Sequence, residues 1–524
     1  MRAEVSTMFN PVPVPFFGAK KVADGFAVRG DLSHEFGHRV PAETGGPDDG
    51  VFAGWKWQGQ RLTVEVDRYG FGPLFYFSRG DEFGISPNLV RLLQEGAPLE
   101  IDREAIAVFL HLSFFIGNQT PFRHIKVVPP NRSFTWDGTL HVEEVRHIGS
   151  QLKITRSEAI ETYAQMFRAA IARRLPRSGD FALPLSGGRD SRHILLELCA
   201  AGCRPRYCIT ANKYGAGNND VEIARLLTQS FGLKHIVVGQ LPRFEAERRK
   251  NITTSFCTDE HAWLVSAGQY LGTSVDTIYD GIAGGVLSAS SFASRLRLDL
   301  HCAGRFRELA ELLMKPSTEV IQHVLDPAFR VAHSDDVARE QIAHELERYA
   351  NAANPTTMFY FWNRTRRVIA LSPFAVFSGV KTCFCPYLDH RLFDFLASLP
   401  PEVLLDRTFH SDTIRAAHPR LAAIPYSVKR RGGALLDGMK FSVRAGWYGL
   451  VTRQTRVDRM ARLTTHVLRS AVSSAYQKRN ASIGLGTLLY FFQLGDTIRK
   501  LSGPDPRTRV PIPFSARATD DSGT

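Results

Sequence analysis

Along the chain, apolar positions recur first with a period of two and later with a period near 3.6, and the change falls close to residue 150. Leu62, Val64 and Val66 alternate with polar residues, and Leu74, Tyr76 and Ser78 continue after a Gly-Pro break, so short strands of an antiparallel sheet are expected from Val51 onward. Before that, Pro11, Pro13, Pro15, Gly45, Gly46 and Pro47 break any long element, and little regular structure is expected up to about Gly50. Ile101 to Leu112 reads as a helix opened by Asp102. The Val127-Val128-Pro129-Pro130 segment then marks a loop ahead of a strand pair around Phe134 and Val142.

Beyond residue 150 the pattern alternates between strands and helices. Ser157 to Arg174 has helical spacing, and Phe181 to Leu185 is a short apolar run of the kind buried on both faces of a sheet. Helix Ser191 to Ala201, strand Arg206 to Thr210, helix Asp220 to Phe231 stopped by Gly232, and strand Lys234 to Val238 follow in order. This order predicts a parallel sheet with right-handed crossovers. From Arg305 to about Lys500 the chain reads as mostly helical. The expected division is therefore a first domain over 1–150, a second over 151–505, and a Pro-rich polar tail over 506–524 without fixed structure.

Composition narrows the class only a little. At 524 residues, 44% hydrophobic and 22% charged, the chain belongs with ordinary globular proteins of two or more domains. No apolar run approaches the length of a membrane span, and Met1 to Asn10 carry no basic-then-apolar leader, so a cytoplasmic protein without membrane contact is expected. The seven cysteines lack the paired spacing of a zinc site, around Cys199, Cys203 and Cys208 as around Cys383 and Cys385, and read as reduced thiols. A net charge of +13 fits any phosphate-bearing partner. The basic run through Arg444, Arg453, Arg456, Arg459, Arg462, Arg469, Lys478 and Arg479 reads as a solvated helical face rather than a nucleic-acid site.

The densest chemistry lies in Leu185-Ser186-Gly187-Gly188-Arg189-Asp190-Ser191, between a predicted buried strand and a predicted helix. A glycine pair there lets the backbone turn tightly and approach a ligand, while the first N–H groups of the helix and its dipole favour an anion. Ser186 and Ser191 add hydroxyl donors. Asp190 can hold Mg²⁺, which takes one or two carboxylates together with phosphate oxygens and water. The lysine of a Walker loop is absent. The loop thus suits a pyrophosphate group, and cleavage of ATP between its α and β phosphates is the reaction to expect. An ordinary glycine-rich turn without a ligand is the bland alternative, outweighed by the six-residue pattern in this setting.

The stretch PLSGGRDSR resembles the ATP pyrophosphatase loop of the asparagine synthetase family, whose members include β-lactam synthetases and lasso-peptide macrolactam cyclases. CPYLDHRLFDFLASLPPEVLL, from Cys385 to Leu405, is similar to a second segment of that family, and Arg415, Pro425 and Lys429 fall at three further family positions. Asp67-Arg68-Tyr69-Gly70 with Pro73 to Tyr76, followed by Thr120-Pro121-Phe122 and Pro129-Pro130, resembles its glutaminase domain, the first set as a strand pair. The resemblance spans about residues 51 to 435. It implies an α/β protein: an N-terminal antiparallel α+β remnant of an Ntn-type glutaminase domain, then a parallel-sheet, adenine-nucleotide α-hydrolase-like ATP pyrophosphatase domain with a helical C-terminal part.

The resemblance also implies an activity and a site. ATP and Mg²⁺ would serve an AMP-forming amide ligase, with adenosine against Leu185, Ile209, Thr210 and Gly281, and pyrophosphate and magnesium at Ser186, Gly187, Gly188, Asp190 and Ser191. Asp190 would be the metal ligand, and Lys429 would neutralise charge on the pyrophosphate side. The substrates would be a small-molecule or peptide carboxylate and an amine, and a homodimer is one assembly open to the chain. His261, Trp263, Gln269 and Tyr270 follow Asp259 on a segment expected to line the nucleotide end of the cleft, with packing an equal reading for Trp263 and Tyr270.

Three departures shape the expectation. The family's glutaminase uses a cysteine directly after the initiator methionine, whereas Arg2 stands here and the first cysteine is Cys199, so glutamine hydrolysis is not expected. In Asp280-Gly281-Ile282-Ala283-Gly284-Gly285-Val286, Ile282 replaces the family's glutamate and Gly285 its metal-binding aspartate. Asp280 is the carboxylate left to reach the metal or the ribose, and Arg192 could take over some charge neutralisation. Ser411 stands where the family has a lysine. The leading expectation is a ligase without its own ammonia supply. Asparagine synthesis from aspartate and free ammonia is the alternative within the enzyme class, and a catalytically degenerate nucleotide-binding scaffold is the alternative outside it.

Overall fold

The structure is a computed structural model that describes residues 14–42, 46–130, 134–176, 180–212, 219–315, 325–428, 435–455 and 485–503. Its N-terminal part contains two antiparallel five-stranded sheets. The first has the order β2-β1-β7-β6-β8, from β1 (Phe17–Val22), β2 (Gly25–Gly30), β6 (Phe75–Arg79), β7 (Glu82–Ser86) and β8 (Ile125–Val127). The second has the order β10-β9-β5-β4-β3, from β3 (Ser33–Val40), β4 (Asp49–Gln58), β5 (Arg61–Val66), β9 (Phe134–Trp136) and β10 (Leu140–Val142). In β5, Leu62, Val64 and Val66 are buried while Arg61, Thr63 and Glu65 face solvent, as period-two alternation requires. Phe17, Ala19, Phe83 and Ile85 of the first sheet join Trp55, Leu62, Val64 and Trp136 of the second in one core.

This region corrects the sequence reading in three ways. Three strands occupy residues 17–40, where glycine and proline content predicts little structure. Their glycines serve close pairing instead: a Cβ at Gly30 (φ +83°) would lie 2.1 Å from the Phe16 carbonyl oxygen, and one at Gly37 (φ +92°) 2.1 Å from that of Val51. The two alternating runs around Leu62 and Tyr76 belong to different sheets, so Asp67 to Tyr76 is a crossover between sheets rather than a strand pair. Val127 ends a strand, β8, rather than opening a loop.

Two helices, α1 (Leu89–Gln94) and α2 (Arg103–Leu112, capped by Asp102), and then α3 (Arg156–Ala172) lead to the third sheet. It consists of β11 (Phe181–Pro184), β12 (Tyr207–Ala211), β13 (His235–Val238), β14 (Thr277–Tyr279) and β15 (Thr382–Phe384), in the order β13-β12-β11-β14-β15, and every pair is parallel. β15 lies inside the stretch read as helical, because a three-residue strand leaves almost no periodic trace. The chain is thus α/β, with antiparallel sheets first and a parallel sheet later. Strand order reverses at β11, and the crevice outside the carboxyl ends of β11 and β14 is the switch point at which such sheets bind ligands.

Helices α4 (Asp190–Ala200), α5 (Asp220–Ser230), α6 (Arg243–Thr253) and α7 (Val265–Gly272) connect these strands. Later, helix Leu485–Ser502 packs Tyr490 onto Phe109 of α2 with ring centroids 4.8 Å apart. No helix among the described residues is long and apolar enough to cross a membrane. Residues 506–524 lie outside the described residues, as does most of the basic run; of it, Arg444 and Arg453 are described, and both are exposed.

A buried ion cluster ties the antiparallel part to the parallel part. Asp49 at the start of β4 receives Arg173 at 2.6 Å and Arg174 at 3.0 Å, both just after α3, and Arg174 also reaches Asp389 at 2.8 Å. Burial alone would raise the Asp49 carboxyl; Arg174, His390 and Arg173 reverse this and hold it below the ordinary carboxylate range. Asp389 caps the helix His390–Ala397 through the N–H groups of Arg391 and Leu392. The aspartate of the PYLDHR segment therefore acts in packing. Removing Asp49 leaves Arg173 and Arg174, the latter 1% exposed, to share the single carboxylate of Asp389. Asp49→Ala should destabilise the protein by about 3–5 kcal/mol, read by chemical denaturation; a midpoint within error of wild type would show that the cluster does not bind the two parts together.

Candidate functional site

The Ser186–Ser191 loop leaves β11 at the switch point and enters α4. Its hydrogen bonds hold it in one shape: Ser186 N–H donates to Ser191 Oγ at 3.1 Å, Gly188 N–H to Ser186 Oγ at 3.2 Å, and Gly187 N–H to Asp220 Oδ1 at 3.0 Å. The first three amide protons are thus engaged inside the protein. Arg189 at the N-cap position of α4 makes no side-chain capping bond, so the first turn keeps its N–H groups and its positive dipole end for an anion. Gly187 has no room for a side chain, since a Cβ would meet Ser427 Cβ at 2.6 Å, whereas at Gly188 only Ser186 Oγ lies within reach. The open side of the loop is the Gly188 side.

Asp190 reaches from the first turn of α4 into the glycine-rich turn after β14. A Cβ at Gly281 would lie 2.7 Å from Asp190 Cβ, and one at Gly284 2.8 Å from its Cγ. Gly285 donates its N–H to the Asp190 carboxyl. Glycine at all three positions is what allows the two loops to touch. The Asp190 side chain is one third exposed, on the cleft side. The protein packed behind it raises its pKa to about 7; the Gly285 N–H and Arg189 oppose this, and Asp280 adds to it. Asp280 accepts the Ile282 N–H at 2.8 Å, and burial outweighs that bond to bring its own pKa to about 6. The switch point therefore holds two carboxylates, with the charge of Asp280 acting on Asp190, a pattern that a divalent cation relieves. Among the described residues no group of three or more His, Cys, Asp or Glu side chains could hold a metal, so remaining ligand positions would fall to phosphate oxygens and water. This donor pair fits Mg²⁺.

Behind Asp190 lies a polar network that the sequence does not advertise. His410, fully buried, sits 3.4 Å from Asp190 Oδ1 and 3.0 Å from Ser288 Oγ through Nδ1, and 3.3 Å from His193 Nδ1 through Nε2. Ser288 gives its proton to the Gly284 carbonyl and accepts from Tyr163, so donor counting places a proton on His410 Nδ1 and leaves Nε2 to accept from His193. Burial holds the His410 pKa down at about 3, with Arg189 adding to the effect. Tyr387 donates to the Asp190 carbonyl at 3.2 Å. The network fixes both the backbone and the carboxylate of Asp190.

The remaining predicted positions divide. Leu185, Ile209 and Thr210 are buried, and the Thr210 hydroxyl donates to the Leu185 carbonyl at 2.7 Å while the Leu185 N–H donates to the Ile209 carbonyl at 2.8 Å, so these groups tie β11 to β12. Arg192 does not neutralise phosphate: it donates to the carbonyls of Ile424 and Pro425 and lies 4.1 Å over the Tyr426 ring. Arg189 covers the same ring and bonds Ser411 Oγ. The two arginines dock segment 424–428 on the loop, where Ser427 N–H donates to the Gly187 carbonyl at 2.9 Å. Lys429, the residue after that segment, lies outside the described residues. His261 is buried against the Val368 carbonyl, and Tyr270 rests against Tyr207 at the first residue of β12, the sheet edge opposite the switch point, so neither lines the nucleotide end. Asp220, Ser288, His193, His410 and Tyr387 were missed, because only folding brings them to the loop. All seven cysteines are free thiols.

No protein-family model matches this chain, and no curated protein matches it significantly in sequence.

Two predictions follow from the carboxylate environment. A carboxyl whose folded pKa is raised contributes most stability below its unfolded value and loses it as pH rises through the folded value, here about 7. Asp190→Asn should therefore raise the melting temperature of the nucleotide-free protein at pH 8, while stabilisation of wild type by Mg²⁺ with ATP should grow between pH 6 and 8. A lower melting temperature for the variant, or a pH-independent ligand shift, would contradict this environment. Gly284→Ala should displace the Asp190 carboxylate and abolish the Mg-ATP thermal shift, with a stability cost of about 1–3 kcal/mol; a retained shift would show that the close approach of the two loops is dispensable.

Proposed function

We propose that this chain is an ATP-dependent, AMP-forming amide ligase of asparagine synthetase type, acting in the cytoplasm without a glutaminase activity of its own. The observation that carries the reading is the convergence of Asp190 and Asp280 beside an uncapped helix N-terminus at the switch point of a parallel sheet. In this reading the parallel-sheet part is an ATP pyrophosphatase domain, and the antiparallel part is a remnant of an Ntn-type glutaminase fold kept for packing, as the buried Asp49 cluster suits it to be.

The chemistry asked of the site is balanced and simple. An oxygen of the substrate carboxylate attacks the α-phosphorus of ATP, the α–β bridging P–O bond breaks, and pyrophosphate leaves. An amine then attacks the acyl carbon, AMP departs, and the amine proton passes to solvent. Asp190, with Asp280 near it, would hold Mg²⁺, which supplies charge neutralisation for the departing pyrophosphate. The first turn of α4 binds the anion, Gly188 leaves room for it, and the Ser186–Ser191 hydrogen bonds keep the loop from collapsing into it. Lys429, just after the segment docked on Gly187, is assigned the charge-neutralising role that the resemblance gives it.

The test is AMP and pyrophosphate release from Mg-ATP against a pool of carboxylates and amines, with wild type beside Asp190→Ala and Asp280→Ala. Release that depends on Asp190, and falls at least roughly tenfold in Asp280→Ala, is expected. Asparagine formed from aspartate and ammonium would identify the ammonia-dependent alternative. ATP binding without AMP release under any condition would overturn the ligase reading in favour of a nucleotide-binding scaffold.

A further inference from the structure

A second polar cavity of about 360 Å³ lies between α6, the loop around Asp259 and the start of helix Leu485–Ser502. Its lining includes Glu247, which is buried, Asp259 and Arg243, which are partly exposed, and Lys315, which is exposed. The Glu247 side chain is 8% exposed, and its Oε2 accepts no hydrogen bond although the buried Lys250 ammonium stands 3.3 Å away, donating to the Thr258 carbonyl. A Cβ at Gly486 would come within 3.2 Å of Glu247 Oε1, so the glycine leaves that carboxylate room. Among the described residues, Asp259 accepts a hydrogen bond only from the Thr487 hydroxyl, at 2.9 Å.

The charge arrangement decides what would fit. Glu260 is neutralised by Arg364, which reaches both its oxygens at 2.8 and 2.9 Å, and so drops out of the balance. Glu247 meets Lys250 at 3.3 Å and Arg243 at 4.0 Å, so the cavity brings both signs of charge together. Lys315 donates to Ser113, and Arg243 also lies over the Phe441 ring at 4.6 Å, so both cations are held in the lining of the cavity. The Asp259 loop is pinned on both sides: before it Lys250 donates to the Thr258 carbonyl, and after it Glu260 pairs with Arg364 and His261 meets the Val368 carbonyl, both on the π-helix Phe361–Ile369.

We propose that this cavity binds a free α-amino acid, with its ammonium group turned to Glu247 and Asp259 and its carboxylate to Arg243 and Lys315. A primary ammonium can satisfy the orphaned Glu247 oxygen and the second Asp259 oxygen together, which neither a carboxylate nor an apolar ligand can do. The cavity volume falls in the range of small-molecule sites. The inference does not rest on the nucleotide reading of the Ser186–Ser191 loop.

The experiment is calorimetric titration of the nucleotide-free protein with the common L-amino acids, their N-acetyl derivatives and their carboxamides. At least one amino acid is expected to bind. Its N-acetyl form, which lacks the ammonium, should bind roughly ten- to a hundredfold more weakly, and its carboxamide also more weakly. Asp259→Asn and Glu247→Gln should each weaken binding to a similar degree, and Lys315→Ala less; should either carboxylate variant fail to fold, the derivative series in wild type decides alone. Absence of binding by every amino acid, or equal binding of the acetylated forms, would overturn the proposal. Because no nucleotide is present, loss of the ligase reading would leave the result unchanged.

Discussion

The close contact between Asp190 and the turn after β14 is the constraint on which the site depends. A carboxylate can enter that turn only because Gly281, Gly284 and Gly285 present backbone alone, two of them at distances where a methyl group would collide. The contact exists only because β14 pairs with β11, which brings the ends of two strands far apart in sequence side by side. The same contact desolvates Asp190 and sets it against Asp280. The unfavourable setting of two partly desolvated carboxylates thus follows from the sheet order itself, and a bound divalent cation is the natural way to relieve it.

That view changes the meaning of the substitutions at Ile282 and Gly285. Gly285 offers a backbone N–H to Asp190 in place of a second carboxylate, and Ile282 is buried, while its N–H orients Asp280. Asp280, two residues before Ile282, is the carboxylate that this turn contributes beside Asp190. Arg189 and Arg192 act in the same economical way, clamping Tyr426 and the chain that follows onto the loop. Charge near the site is used here to hold segments in place as much as to meet a ligand.

Much of this was legible in the sequence where the determinants are local. The Ser186–Ser191 loop, the strand before it and the helix after it depend on neighbours within a few residues, and Asp102 and Gly232 mark helix ends for the same reason. Strands β1 to β3 were illegible because their glycines, which look like breakers in one dimension, serve close pairing in three. β15 was hidden by its length. His193, His410 and Ser288 carry no motif, and their meaning, like the role of Tyr387 within its segment, arises only when α4, the turn after β14 and the helix near residue 410 pack together.

The PYLDHR segment shows how a resemblance can be strong at a place that does no chemistry. Asp389 caps a helix and pairs with Arg174, Tyr387 holds the Asp190 backbone, and His390 sits against Asp49. These residues join the antiparallel sheets to the back of the site, so that the posture of Asp190 depends on packing that reaches β4. The parallel-sheet part needs the antiparallel part in place, because Arg173 and Arg174 would otherwise be buried opposite Asp389 with one carboxylate between them. The desolvated charge at their seam is by itself a physical reason for the antiparallel sheets to stay docked there.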